Sequence, residues 1–334
     1  MNSENPSKSV LVVGGAGYIG SHMVKMLLEN KYKVVTLDNL SGGYRDAVVG
    51  GEFEQVDLSD KTALEQVFNK YKFDAVMHFA SYIQVGESVI KPDMYYVNNL
   101  VNTLILLDVM IKHDVNKFIF SSTAALFGEP EYTPIDEKHP TQPINPYGRS
   151  KLMVEQILAD YDKAYGLKSI CLRYFNAAGA DPEGLLGERH EPETHLIPLV
   201  LQVASRRRES ISVFGRDYDT PDGTCVRDYI HIVDLCSAHL LALEKIIISS
   251  KSHVYNLGNG NGFSVQEVID TAEIVTGKEI KVVEAPRREG DPAILLANAA
   301  LVKTELGWFP QYSKLSSIIE HAWQWELKFY QQLN

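Results

Sequence analysis

The sequence has few cysteines, fewer basic than acidic residues, and no long apolar run. Its three cysteines, Cys171, Cys225 and Cys236, show neither CxxC spacing nor pairing, which excludes a disulfide framework and a Cys-type structural zinc. The formal net charge of -11 argues against a nucleic-acid partner, because phosphate binding needs a basic face. No apolar run approaches a membrane span, and the polar start, MNSENPSKS, lacks the core of a signal peptide. We therefore expect a cytoplasmic protein without nucleic-acid or membrane partners.

A strand-helix alternation runs along the first half of the chain. Short β-branched runs such as SVLVV, KVVTLD, FDAVMHFA and KFIFSS predict buried parallel strands, and HMVKMLLENK and SKLMVEQILADYDKAYG have helical apolar spacing. This order predicts an α/β fold with a Rossmann-type doubly wound parallel sheet. After Asn176 the alternation stops at a Gly-, Pro- and charge-rich segment, AAGADPEGLLGERHEPET. We expect a domain of residues 1–176 with a return segment 227–257, and a smaller mixed α/β lobe of residues 177–226 and 258–334.

A glycine-rich loop joins the first predicted strand to the first helix. Gly14, Gly17 and Gly20 stand where a dinucleotide fold needs a tight turn, close backbone approach to a pyrophosphate, and close helix packing. The second strand ends at Asp38, whose carboxylate can accept hydrogen bonds from ribose hydroxyls and would repel a 2′-phosphate. The pattern therefore predicts NAD rather than NADP.

A tyrosine and a lysine lie four residues apart in PYGRSK. On a helix this spacing places Tyr147 and Lys151 on one face. A phenol has a pKa of about 10, but a nearby ammonium, helped by a positive nicotinamide, would lower it and make Tyr147 a base for a substrate hydroxyl. Thr123, in FSSTAALFG after another strand, could bond the same oxygen. These three residues are the catalytic candidates.

Motifs along nearly the whole chain resemble one family. They include GGAGYIGSH, LDNLSGG, VMHFA, YYVNN, FIFSST, PYGRSKLMVEQIL, LRYFNAAGA, GTCVRDYIHIVDL, YNLGNG and APRREGD. On these motifs the sequence resembles the extended short-chain dehydrogenase/reductase family, in particular its UDP-galactose 4-epimerases. The resemblance implies tightly bound NAD, hydride removal from C4 of UDP-galactose or UDP-glucose, rotation of a 4-ketose, and hydride return to its other face.

The resemblance also implies a role for each candidate. Tyr147 removes the 4′-hydroxyl proton, Lys151 holds the cofactor ribose and tunes Tyr147, and Thr123 stands where the family has Ser or Thr. The cofactor contacts would be Gly14, Gly17, Tyr18, Ile19, Gly20, Asp38, Asn39, Leu40, Asp57, Leu58, Phe79, Ala80, Ser81, Asn98, Tyr147, Lys151 and Tyr174. The UDP-sugar contacts would be Thr123, Asn176, His195, Leu196, Phe214, Arg227, Arg288, Asp291 and Leu295. The first domain would bind NAD, and the smaller lobe the UDP-sugar.

Three positions depart from the best-known bacterial pattern. Ile83 replaces a lysine, which removes one polar contact to the cofactor, and His195 replaces an asparagine beside the substrate. A neutral imidazole at His195 would still donate one hydrogen bond. Leu295 stands where tyrosine or a smaller residue sets the size of the sugar pocket, so N-acetylated UDP-hexosamines become candidate substrates.

Other functions remain open at this stage. Ala124 and Ala125 follow Thr123 where dehydratases of this fold place acidic residues, which disfavours elimination. An epimerase of a UDP-pentose or UDP-uronic acid, or a non-catalytic NAD-binding sensor, is still compatible with the sequence. The ten histidines show neither HxxxH nor HxH spacing, so no metal is expected. Relatives pair the helices around YYVNNLVNTLILLDVMIKH and SKLMVEQILADYDKAY, which implies a homodimer.

Overall fold

A computed structural model describes residues 8–249, 251–288 and 291–330. The strands are β1 (Ser9–Val13), β2 (Lys33–Asp38), β3 (Glu52–Gln55), β4 (Ala75–His78), β5 (Lys117–Ser121), β6 (Lys168–Tyr174), β7 (Asn176–Ala178), β8 (Ile211–Phe214), β9 (Val226–His231), β10 (His253–Leu257), β11 (Gly262–Ser264), β12 (Val282–Ala285) and β13 (Ile294–Leu295). The α-helices are α1 (Tyr18–Glu29), α2 (Lys61–Lys70), α3 (Val85–Ile90), α4 (Pro92–Tyr95), α5 (Asn102–Lys112), α6 (Pro146–Tyr165), α7 (Leu196–Ala204), α8 (Ile232–Ile248), α9 (Val265–Thr276), α10 (Ala300–Leu306) and α11 (Leu315–Tyr330).

The chain divides into two compact units. The first unit comprises the residues up to Gly128, Thr141–Arg173 and Cys236–Tyr255. The second unit comprises Glu129–Pro140, Tyr174–Leu235 and the residues from Asn256 onward.

A seven-stranded sheet forms the centre of the first unit, with the strand order β10-β6-β5-β4-β1-β2-β3. The pairings that join β1 to β2 and β4, β2 to β3, β4 to β5 and β5 to β6 are all parallel. Its strands carry fully buried apolar side chains, such as Leu11, Val76 and Phe118, which pack against the flanking helices. This confirms the predicted Rossmann-type sheet, in which the order of the strands reverses between β1 and β4.

Helix α6 begins and ends at the residues that its sequence dictates. The Asn145 side chain caps the helix by accepting from the Gly148 N–H at 2.8 Å, and Pro146 occupies the first turn, where its missing N–H is not needed. Gly166 ends the helix at φ 70°, a left-handed conformation that favours glycine. Because α6 begins at Pro146, Tyr147 lies in its first turn and Lys151 lies one turn later.

One helical stretch in the described residues, Pro92–Lys112, is long and apolar enough to cross a membrane by length and composition. From the sequence we expected no apolar run that approaches the length of a membrane span, and this stretch differs from that expectation. A π-helical turn between α4 and α5 makes the stretch continuous. In the first unit α5 contacts α2, and its Leu106, Leu107, Val109 and Met110 are fully buried in the core beside the sheet. Such burial is typical of a core helix.

The second unit contains two small sheets. In the first, β9 pairs antiparallel with β11 and parallel with β13 and β7. The other is the parallel pair of β8 and β12. Helices α7, α9 and α11 pack together around a separate apolar core that includes Val200, Val268 and Ile318.

The boundaries of the units differ from the expected domains at two places. The return segment was expected from residue 227, but β9 bonds to β7, β11 and β13, so the chain rejoins the first unit only at Cys236. Residues 129–140 belong to the second unit, where the Ile135 N–H donates to the Leu296 carbonyl at 2.8 Å and Ile135 bridges to Ala297.

Candidate active site

The glycine loop is closely packed, as the motif predicts. Gly14 has φ +78°, and a Cβ there would lie 2.4 Å from the Ala80 nitrogen. At Gly20 a Cβ would lie 2.1 Å from the Gly14 carbonyl oxygen. At Gly17 the nearest heavy atom is 3.4 Å away, and as the N-cap of α1 it provides no side-chain hydrogen bond to the first-turn N–H groups. The start of α1 therefore has no side-chain cap, and the positive end of the helix dipole there favours an anion.

The Asp38 carboxylate is fixed at the end of β2. It accepts the Ala16 N–H at 3.0 Å and the Leu40 N–H at 2.8 Å, one on each oxygen. Burial raises the pKa of Asp38, and these two backbone hydrogen bonds lower it in part. Each oxygen keeps a second lone pair, so the carboxylate can still accept a vicinal pair of ribose hydroxyls.

The remaining cofactor candidates of the first unit follow the carboxyl ends of neighbouring strands. Asn39 donates to Asp57 at 2.6 Å, which joins the segments after β2 and β3. Phe79 and Ala80 both donate their N–H groups to the Val13 carbonyl, at 2.8 and 3.2 Å, and so hold the β4 end against the β1 end. The other cofactor candidates of this group lie at the start of α1 or shortly after the ends of β2, β3 and β4: Tyr18, Ile19, Leu40, Leu58 and Ser81.

Two further cofactor candidates, and the residue that replaces the family's lysine, lie outside the strand ends described above. Asn98 is in the π-helical turn before α5 and donates to Asn99 at 3.0 Å. Tyr174 ends β6 and belongs to the second unit. Ile83, between β4 and α3, is 39% exposed.

The three catalytic candidates meet at the carboxyl edge of the sheet in the first unit. Thr123 follows β5, and its side chain accepts the Ala125 N–H at 3.1 Å and hydrogen-bonds Tyr147. Lys151 is 3% exposed, and its ammonium donates to the Ser121 carbonyl at 2.9 Å. The hydroxyl, the phenol and the ammonium of this group can together hold and transfer one proton.

The pKa of Tyr147 does not follow the expected lowering by Lys151. Burial raises the pKa of Tyr147, and the hydrogen bond with Thr123 lowers it by less. Burial also lowers the pKa of Lys151 to about 7, against the opposing effect of Glu155. Lys151 is not among the groups that shift the pKa of Tyr147 in the protein alone. The lowering that we expect from Lys151 together with a positive nicotinamide stays a prediction.

A buried network that the sequence analysis missed supports Lys151. Glu155, one turn further along α6, accepts from Arg173 of β6 at 3.0 and 2.6 Å and from the Ser122 hydroxyl at 2.5 Å. Both ionic side chains are nearly inaccessible, with 8% exposure for Arg173 and 6% for Glu155. The spacing of Glu155 from Lys151, i and i+4 on a helix, was the available signal.

Three of the substrate candidates share one face of the β9 sheet in the second unit. Leu295 is the register partner of Arg227, and Asn176 is the partner of Tyr229, two residues further along β9. Side chains alternate along a strand and partners share a face, so Asn176, Arg227 and Leu295 project to the same side. The Arg227 guanidinium is 13% exposed and donates to Asp291.

The other substrate candidates form two further groups in the second unit. The Arg288 guanidinium stacks 3.9 Å from the centre of the Phe214 ring, a cation–π contact. His195 is the N-cap residue of α7, and Leu196 is its first residue. Burial tends to lower the pKa of His195, but Glu188 and Glu193 raise it to about 10. Two carboxylates therefore favour the protonated form of His195 over the neutral imidazole that was considered from the sequence.

Comparison with known proteins decides the family. The profile of the NAD dependent epimerase/dehydratase family matches residues 10–258. The chain belongs to this family.

Individual members of the family are similar over almost their full length. The UDP-glucose 4-epimerase of Halalkalibacterium halodurans is 52% identical over 317 residues, which are 95% of each chain. The crystal structure of UDP-glucose 4-epimerase from Brucella ovis in complex with NAD has a TM-score of 0.93 and 47% identity, and the match covers 95% of this chain and 98% of that one. The Bifidobacterium longum enzyme in complex with NAD+ and UDP has a TM-score of 0.92 and 41% identity, with coverage of 97% and 99%. The resemblance to UDP-glucose 4-epimerases and the NAD cofactor predicted from the sequence are confirmed.

The residues of the first unit fit NAD by their own geometry. Gly17 leaves a space that a side chain would fill, next to the start of α1, which has no side-chain cap. Asp38 retains acceptor capacity for ribose hydroxyls and would repel a 2′-phosphate. The Lys151 side chain adds a buried donor at the same edge of the sheet.

Proposed function

We propose that the chain interconverts UDP-galactose and UDP-glucose by epimerisation at C4 of the hexose, with NAD tightly bound throughout. The observation that carries the proposal is the hydrogen-bonded pair of Thr123 and Tyr147, with Lys151 one turn away, at the carboxyl edge of an NAD-type sheet. The second unit supplies Arg227 and Arg288, and guanidinium groups suit a diphosphate.

The protein side chains handle one proton in this proposal. Tyr147, in its phenolate form, takes the proton of the sugar 4-hydroxyl and as the phenol later returns it, and Thr123 orients the same oxygen. Lys151 donates to a ribose hydroxyl of the cofactor and, when charged, favours the phenolate. When bound, NAD supplies the hydride acceptor and donor that inversion at C4 needs. Asn176 and Asp291 belong to the substrate contacts, since an amide and a carboxylate can bind sugar hydroxyls.

The deciding experiment uses purified full-length protein with no added cofactor. It is incubated with UDP-galactose, and UDP-glucose is read by a coupled dehydrogenase assay. We expect turnover without added NAD, because the cofactor is retained between cycles. Turnover that requires continuous NAD would contradict tight binding. NAD-loaded protein without turnover would favour a UDP-pentose or UDP-uronic acid substrate, or a sensor.

Leu295 is proposed to admit N-acetylated UDP-hexosamines. Leucine is shorter than tyrosine, and this side chain shares a sheet face with Arg227 and Asn176. We expect Leu295→Tyr to lower kcat/KM for UDP-N-acetylgalactosamine relative to UDP-galactose by about 10- to 200-fold, the effect of a lost pocket fit. Ile294→Val, on the opposite face of the same strand, should leave the ratio unchanged. Wild-type protein that is active on UDP-galactose but not on UDP-N-acetylgalactosamine would contradict the proposal that Leu295 admits N-acetylated sugars.

A cytoplasmic homodimer is the proposed assembly. Val89, Ile90, Val97 and Val101 are 45–79% exposed, and the turn that carries Val97 contacts α6, where Met153 is 38% exposed. An apolar surface of this kind is typical of an interface. We expect twice the chain mass of 37.4 kDa by light scattering, and the chain mass for Val97→Glu/Val101→Glu. Ile274→Glu, at a residue of α9 that is 82% exposed, should stay dimeric, and a monomeric wild type would refute the assembly.

A further inference from the structure

Four potential metal ligands converge in the second unit, in the segment that leads into α7. Glu188, His190, Glu193 and His195 each direct one ligand atom to a common region, and these atoms lie within 4.8 Å of one another. We expected no metal from the sequence because its histidines show neither HxxxH nor HxH spacing. The pattern here is E-x-H-x-x-E-x-H, with carboxylates between and before the imidazoles.

Four contacts between these groups have lengths comparable to the separation of two ligands around one metal ion. Glu188 Oε1 lies 2.7 Å from His195 Nδ1 and 3.1 Å from His190 Nδ1. The Glu193 oxygens lie 3.3 Å from His195 Nδ1 and 3.6 Å from His190 Nδ1. Zinc bonds to nitrogen and oxygen of about 2.0–2.2 Å imply ligand separations of about 3.3 Å in a tetrahedron. The four distances therefore lie around the value that one shared ion would impose.

Hydrogen bonding does not account for the shortest of these contacts. Glu188 Oε1 and His195 Nδ1 are both buried, and neither makes a hydrogen bond of acceptable geometry although 2.7 Å separates them. The Glu188 side chain is 6% exposed, so water does not satisfy that oxygen. A buried carboxylate oxygen without a well-directed donor is costly unless a cation compensates it, and either a protonated imidazole or a metal ion can be that cation.

We propose that Glu188, His190, Glu193 and His195 form a binding site for one divalent transition-metal ion, best fitted by Zn²⁺. Two imidazole nitrogens and two carboxylate oxygens are a ligand set that zinc accepts in tetrahedral geometry. Ca²⁺ and Mg²⁺ prefer six or more oxygen ligands, which the cluster does not offer. Two carboxylates also balance the charge of one divalent ion. Protons on the imidazoles are the competing occupants, because a metal binds the neutral ring.

The ion would fix residues that face the substrate, an argument that rests on the proposed function. His195 caps α7 and Leu196 begins it, so one bound ion would hold this entire turn. Coordination through Nδ1 places the remaining proton of His195 on Nε2. The imidazole is then neutral and can donate one hydrogen bond beside the substrate, where relatives have an asparagine. The Trp325 indole also donates to the Glu188 carbonyl at 3.2 Å and so ties the segment to α11.

The metal site is tested on the full-length protein without substrate. We expect purified protein to contain, or after chelator treatment to bind, one Zn²⁺ per chain by elemental analysis and calorimetric titration with ZnCl₂. Binding should raise the midpoint of thermal unfolding, since a ligand of the folded state stabilises it. MgCl₂ in parallel should bind far more weakly. A folded wild-type protein that takes up no stoichiometric zinc would leave the cluster as a set of ion pairs and overturn the proposal.

Two neighbouring substitutions sharpen the test. Glu193→Gln keeps the side-chain shape and should weaken zinc binding by more than the about 10- to 100-fold that loss of an outer-shell partner costs. Glu191→Gln removes the same charge from an exposed side chain two residues away and should bind zinc like the wild type. Equal affinities in the two variants would contradict the ligand assignment. Because metal content is read without turnover, inactive protein that binds zinc refutes the epimerase proposal and leaves the site intact.

Discussion

Tyr147→Phe is expected to reduce turnover of UDP-galactose by about 10²- to 10⁴-fold, the usual contribution of a positioned general acid or base. The substitution removes one oxygen from a side chain that hydrogen-bonds Thr123 in the first unit. It leaves the ring, the helix start at Pro146 and the glycine loop unchanged. NAD content should therefore equal that of the wild type while the proton has no acceptor.

The measurement compares kcat by the coupled assay with cofactor content after denaturation. Tyr165→Phe is the matched control, because it removes the same oxygen from the same helix at a residue that is 59% exposed. The control should keep full activity. Tyr147→Phe with more than about a hundredth of wild-type kcat would lie outside the expected range and would assign the proton transfer to another group.

Thr123 should show an intermediate effect if it orients the same oxygen. Thr123→Val keeps the shape of the side chain and removes the hydroxyl that bonds Tyr147. That hydrogen bond lowers the pKa of Tyr147, so its loss makes the phenol a harder group to ionise. The phenol itself remains, which is why the loss should be smaller than for Tyr147→Phe.

The sequence predicted the first unit because its signals are local. A β-branched run before Gly14, a helix after Gly20 and an acid at Asp38 each specify their own neighbourhood, and the parallel sheet follows from their order. Tyr147 and Lys151 were found for the same reason, since a helix fixes their spacing. The Asn145 cap even places the start of that helix.

The features that were missed depend on contacts between distant residues. Arg173 meets Glu155 across 18 positions, and nothing local in either segment indicates the partner. The cluster of Glu188 and His195 forms in an irregular loop, whose course no periodicity predicts. The pKa of Lys151 follows from its 3% exposure, which depends on the packing of the whole unit. Burial and long-range pairing are therefore what the structure adds to the sequence.

Arg173→Met is expected to lower the free energy of unfolding by about 3–5 kcal/mol, because it leaves the buried Glu155 carboxylate without its charged partner. Urea denaturation followed by circular dichroism measures the loss. Lys112→Met is the matched control: it breaks an ion pair with Glu65 whose lysine side chain is 60% exposed, so it should lower the free energy of unfolding far less. Equal losses in the two variants would show that the buried pair is not a special contact.

The double variant Arg173→Met/Glu155→Leu separates stability from function. Replacing a buried pair by apolar side chains is often neutral or stabilising, so most of the lost stability should return. Activity should not return, because Glu155 raises the pKa of Lys151 against the opposing effect of burial. Without that carboxylate the lysine is more often neutral at pH 7, where it no longer favours the Tyr147 phenolate. A double variant that regains both stability and wild-type kcat would show that Glu155 only holds α6 to β6.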